Sequence, residues 1–177
     1  MNLYQKHRHL IKSGDIMEWS ARSLTGSIIR WKTGACVNHT SGALLYELVE
    51  GSEHRVCITH AVSKGVVPAF LSNEMNGYKG TIYLVRLKPE YDSYRAAIAR
   101  EMVRLEGKKY GFWDLFKNLG GPVRIDSKQI FCSEMLHIAL IRAKLLSDDF
   151  NKGRALVPGQ FGETGLYLPP VKIYEGN

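Results

Sequence analysis

Cys132, His39 and His60 are the three side chains of this 177-residue chain whose types could together perform covalent chemistry. Cys132 stands in Phe131-Cys132-Ser133-Glu134, where an irregular charged stretch gives way to a long apolar run that reads as a helix. A thiol at a helix start lies at the positive end of the dipole, and that field favours the nucleophilic thiolate. Covalent catalysis then needs a base, and the two histidines are the candidates. A buried structural cysteine is the competing reading, and the residues alone leave the two even.

His39, in Val37-Asn38-His39-Thr40-Ser41-Gly42, falls just before an apolar strand, as a loop histidine with backbone partners or as the base. His60 closes one apolar face of a strand, where a lone imidazole is costly to bury. It therefore takes a partner, a second imidazole or a thiolate in a site, or other core groups if it is a satisfied core histidine. The other histidines rank lower: His7 and His9 sit in a charged segment, His54 in a turn, and His137 on the solvent stripe of the Cys132 helix. Cys36 and Cys57 read as packing residues, with Cys57 facing away from His60. Glu134, in the first helical turn, complements the dipole. A zinc site built from His39, His60 and Cys132 would need a fourth ligand or water, and the spacing matches no compact zinc motif. Gly120-Gly121 lacks the Lys-Ser/Thr of a phosphate loop, so no cofactor is implied.

The elements that must position these residues follow from periodicity. Residues 3–12 predict a short helix stopped by Ser13-Gly14, and residues 14–19 a turn entering a first strand. Residues 26–32 read as a helical turn. Strands are predicted over 43–48, 55–61, 65–71 and 81–87, with Pro68 placing the third of these at an edge. The short connections predict an antiparallel meander. A helix over 91–106 carries Tyr94, Ile98, Met102 and Leu105 on one face, and Gly107 caps it. Residues 112–119 read as a further short helix. The helix from Cys132 to about Leu146 is apolar around most of its circumference and is therefore buried. The tail over 157–171, with its prolines and glycines, reads as an extended surface wrap.

Composition bounds the rest. At 45% hydrophobic the chain fills one core, so residues 1–177 read as a single domain. No run of about 18 apolar residues occurs, and the polar N-terminus lacks a signal-peptide core, which predicts a cytoplasmic protein. Three unclustered cysteines fit a reducing compartment rather than a disulfide framework. The net charge of +7 is spread along the chain, so nucleic acid is a minority partner.

Several of these segments together resemble the circularly permuted papain-like hydrolases of the NlpC superfamily, above all the YiiX-like branch. Gly14-Asp15-Ile16 is similar to that family's opening turn. The segment from Ser27 to Thr33, followed by Asn38-His39, is similar to its approach to the catalytic histidine. Ile58-Thr59-His60-Ala61 stands at its third polar position, and Phe131 to Leu136 resembles its Cys-Ser-Glu-Leu nucleophile motif. Val157-Pro158-Gly159-Gln160-Phe161 is similar to a proline-containing segment beyond the nucleophile helix. The motifs run in permuted order, histidine before cysteine, and of bacterial or phage type. Many YiiX-like proteins carry Glu where His60 stands; a Cys-His-His set is similar to the lecithin–retinol acyltransferase-like branch, whose Asn-Cys-Glu-His motif is absent here.

The resemblance implies an α+β permuted papain-like fold, an antiparallel sheet packed against a central helix that starts at the nucleophile. It implies a cysteine hydrolase or amidase acting through a thioester on a peptide, isopeptide or acyl-amide bond. In that scheme Cys132 attacks, His39 forms the ion pair, His60 orients His39, and the Cys132 N–H binds the oxyanion. A thioester-forming acyltransferase, or a non-catalytic module binding a ligand in the same cleft, remain the alternatives.

Overall fold

A computed structural model describes residues 2–23, 27, 31, 34–46, 54–109 and 132–176. The helices expected over 26–32 and 112–119 fall almost wholly outside these residues. A capping box between Asn2 and Gln5 starts α1 (Leu3–His7), which passes into a 3-10 turn over Arg8–Leu10. Six strands follow: β1 (Ile16–Ala21), β2 (His39–Tyr46), β3 (Arg55–Val62), β4 (Gly65–Phe70), β5 (Gly80–Val85) and β6 (Val171–Glu175). Three further helices are α2 (Leu71–Met75), α3 (Arg95–Leu105) and α4 (Cys132–Arg142).

The strands form one antiparallel sheet in the order β4-β3-β2-β1-β5-β6. The meander expectation holds from β1 to β4; β5 then returns to the free side of β1, and β6 adds a strand from Val171, where the stretch read as an extended tail ends. Pro68 lies in β4, at an edge of the sheet.

Strand alternation sends two sets of side chains to opposite faces. Ile16, Leu44, Cys57 and Ala61 pack with Ile98 and Met102 of α3 and with Met135, Leu136 and Ala139 of α4. Met17, Trp19, Ala43, Ile58, Ile82 and Ile173 form a second cluster with Ile11 and with Leu71 and Met75 of α2. Gly42 marks the close contact on the first face, because a Cβ there would collide with the Met102 sulfur and the Leu136 side chain.

The Gly14-Asp15 turn is a structural clamp. Gly14 adopts φ +86°, a conformation that favours glycine. Fully buried Asp15 accepts from the Arg95 guanidinium at 2.7 Å, the Leu87 N–H at 2.9 Å and the Lys12 N–H at 2.8 Å. Arg95 also donates to the carbonyls of Ser13 and Leu87. These bonds fasten the entry of β1 to the exit of β5 and the start of α3.

Candidate active site

α4 is buried along nearly its whole length, from Cys132 through Leu140, which fixes its first turn against β2 and β3. The Cys132 sulfur meets the backbone N–H groups of Thr40, Ser133 and Cys132 itself, together with the Ser133 hydroxyl. The Thr40 amide is available for a reason of register. Ala43 N–H donates to Asp15 in the chain entering β1, so alternate residues 41 and 39 turn their amides the same way and 40 and 42 turn theirs toward β3. Pairing of β2 with β3 runs from Tyr46↔Arg55 to Gly42↔Thr59 and stops there. Thr40 is thus the first β3-directed amide beyond the ladder, and sulfur takes the place of a strand carbonyl.

His39 is the first residue of β2 rather than a loop residue. Its Nε2 lies 3.4 Å from Nδ1 of His60, and its ring also meets Trp19, with centroids 6.2 Å apart. Trp19 is itself anchored by its indole N–H donating to Ser41 Oγ at 2.9 Å. The histidine pair shares the sheet face of Trp19, whereas Thr40 and Gly42 face α4. Cys132 has no hydrogen bond or charge interaction with either histidine among the described residues. Among the described residues the structure therefore joins His39 to His60 and sets Cys132 at the backbone of the next residue, with no hydrogen bond between either ring and the sulfur.

Electrostatics also depart from the ion pair expected of the sequence. Burial pushes the Cys132 thiol up, against the donors that favour its thiolate. Burial and the neighbouring His60 push His39 down to about 3. His60 is lowered too, by burial, with Glu74 opposing. Desolvation penalises both charged forms, which favours a thiol and neutral imidazoles at rest.

Other assignments change. His137 is fully buried rather than on a solvent stripe, and its Nδ1 accepts the Leu156 N–H at 2.9 Å. Cys36 is exposed rather than packed; Cys57 is buried, as expected. Two residues near the sulfur escaped sequence reasoning. Thr40 is fully buried, and its hydroxyl has no hydrogen-bond partner among the described residues. Glu18 faces it across the β1–β2 ladder, and its Oε1 accepts the Gly159 N–H at 3.0 Å. The signal for Glu18 was present: a lone carboxylate inside the strand run Ile16-Met17-Glu18-Trp19, on the face of Ile16.

Sheet order, helix placement and site together define a mixed α+β fold in which a six-stranded antiparallel sheet carries the cysteine helix on one face. Neither a family model nor a curated protein matches the chain. Among solved structures, the fold is similar to that of the metalloprotein YiiX from Escherichia coli O157:H7 (DUF1105), with a TM-score of 0.64 and 15% sequence identity. The match covers 93% of this chain and 97% of that one, so the fold is YiiX-like over nearly its full length. Regarding metal, His39 and His60 offer two nitrogens, but no group of three or more His, Cys, Asp or Glu placed to hold an ion occurs among the described residues. That donor set does not fit a closed metal site. No helix among the described residues is long and apolar enough to cross a membrane.

Proposed function

We propose that this chain is a thiol-dependent hydrolase of the permuted papain-like, NlpC-superfamily type, cleaving an amide or acyl-amide bond through a Cys132 thioester. The observation that carries the reading is the Thr40 amide on the Cys132 sulfur. That nitrogen is bonded to the carbonyl carbon of His39, so nucleophile and base stand on neighbouring backbone positions.

In this reading His39 is the base: its imidazole leaves the 3.4 Å contact with His60 and turns at the open start of β2 toward the thiol. The thiol proton passes to the imidazole as sulfur attacks the carbonyl, and then to the leaving amine. Water resolves the thioester by the reverse proton route. The N–H groups of Cys132 and Thr40, both directed at the sulfur, serve the oxyanion that forms beside it. Because both partners are neutral at rest, the proton leaves sulfur only as sulfur attacks the carbonyl, and activity depends on a well-fitting acyl group.

The test is intact-mass analysis after exposure to p-nitrophenyl esters of graded chain length. The expected result is a transient acyl adduct on Cys132, absent in Cys132→Ala and formed about a hundredfold more slowly in His39→Ala. An adduct confined to Cys36, or equal rates with and without His39, overturns the reading in favour of a non-catalytic binding module on the same fold.

A further inference from the structure

A cavity of about 480 Å³ opens beside the site, lined by Glu18, Cys36, Val37, Tyr83, Gly159 and Glu163 among others. That volume suits a small ligand or one group of a larger one. Among the described residues no lysine or arginine lines it. Glu18 is only 6% exposed, and among the described residues its carboxylate accepts one hydrogen bond, from the Gly159 N–H to Oε1. Oε2 has no partner among the described residues, and no cation pairs with the carboxylate. A buried carboxylate so thinly compensated is costly, and a ligand that brings a positive charge and several donors removes that cost.

We propose that this cavity is a subsite for a primary ammonium group, such as the free amino end of a short peptide. Glu18 holds the ammonium, and Glu163, which also lines the cavity, adds negative charge. One free carboxylate oxygen favours a compact three-donor ammonium over the planar fork of a guanidinium. Gly159 is part of the device: it adopts φ +91°, and a Cβ there would lie 3.0 Å from Ala35 Cβ and 3.4 Å from Val37 Cγ2. Only glycine brings that amide so close to Glu18. The location matters as well. Glu18 is directly opposite Thr40 in the ladder, about 4.8 Å away by strand spacing, and the Thr40 amide meets the Cys132 sulfur. An ammonium on Glu18 thus lies one residue pair from the nucleophile. As a substrate determinant the subsite rests on the hydrolase reading; as a cation site it stands without it.

Cys36 supplies a reporter, because it is exposed and lines the cavity. In the Cys132→Ser background, Cys36 is labelled with a cationic trimethylammonium-ethyl methanethiosulfonate and with its anionic sulfonato-ethyl counterpart. The cation-to-anion rate ratio, relative to free cysteine, is expected to rise about tenfold, against the overall charge of +7. Glu18→Gln and Glu163→Gln each lower it, and millimolar glycylglycine amide slows the cationic reagent while its Nα-acetyl form does not. A wild-type ratio at or below that of free cysteine, or equal behaviour of the two peptides, overturns the proposal even where Glu18→Gln does not fold. Labelling needs no turnover, so this outcome is read independently of whether Cys132 forms an acyl adduct.

Discussion

Replacing His39 with Gln removes a group that the fold keeps neutral, and the effect is largest in acid. An imidazole near its ordinary value of 6.5 in the unfolded chain is held to about 3 in the fold. Between those values the unfolded state binds a proton that the native state refuses. Stability therefore falls as pH drops from 6.5 toward 3, and no further loss comes from this group below that. At 1.36 kcal/mol per pH unit, the loss between pH 7 and pH 5 is at most about 2 kcal/mol, rising to about 3 kcal/mol at pH 4, since the ring is only half-buried. Burial raises the carboxyls of Asp15 and Glu18, which gives stability the opposite slope in the acid range. The difference between wild type and variant isolates the histidine. Urea unfolding at pH 7, 5 and 4 measures it, and a loss of about 2 kcal/mol lowers the wild-type midpoint by roughly 1 M. The Gln variant should lose that much less between pH 7 and 5. Parallel midpoints for the two proteins across this range would refute the burial argument, and with it the neutral resting state.

Three further outcomes follow from the same geometry. Iodoacetamide labelling of Cys132, followed by peptide mapping, should climb about tenfold per unit from pH 6 to 8 without levelling, because burial raises the thiol; a plateau below pH 7 would mean a resting ion pair. Asp15→Ala takes the buried carboxylate from Arg95, which keeps Asp92, and leaves the Leu87 and Lys12 N–H groups without their acceptor, so a loss of about 3 kcal/mol in urea unfolding is expected, whereas an exposed pair such as Lys172–Glu175 costs under about 1 kcal/mol when broken. Gly42→Ala forces the Met102 sulfur and Leu136 aside and should cost about 1–3 kcal/mol by thermal unfolding; an unchanged midpoint would show that the α3–α4 layer gives way freely.

The sequence was most readable where burial and period coincide. The runs at 55–61, 65–71 and 81–87 appear as strands shifted by a residue or two, because their apolar positions repeat with the pleat. The start of β2 was hidden, since His39-Thr40-Ser41 is polar yet each residue is held by the sheet, by Trp19 or by Cys132. β6 was hidden by brevity and by the two prolines before it. Helical angles placed His137 with Lys144 and Asp148, but the chain around Leu156 folds back over that stripe, a tertiary event that no local pattern records. The cysteine and the two histidines were identifiable by type. Which sheet face each takes depends on the β2–β3 register, and that is set by long-range pairing.

The edge formed by β4 has a bearing on how copies of this chain meet. Val66, on the outer side of β4, already donates to the Lys108 carbonyl and accepts from Gly107, both at 2.8 Å. Two residues on, Pro68 has no N–H to offer. Two donors that would recruit another strand are thus spent at Val66 or missing at Pro68, which disfavours templated sheet growth and aggregation there. Among the described strands the other border of the sheet is β6, on the far side from β4.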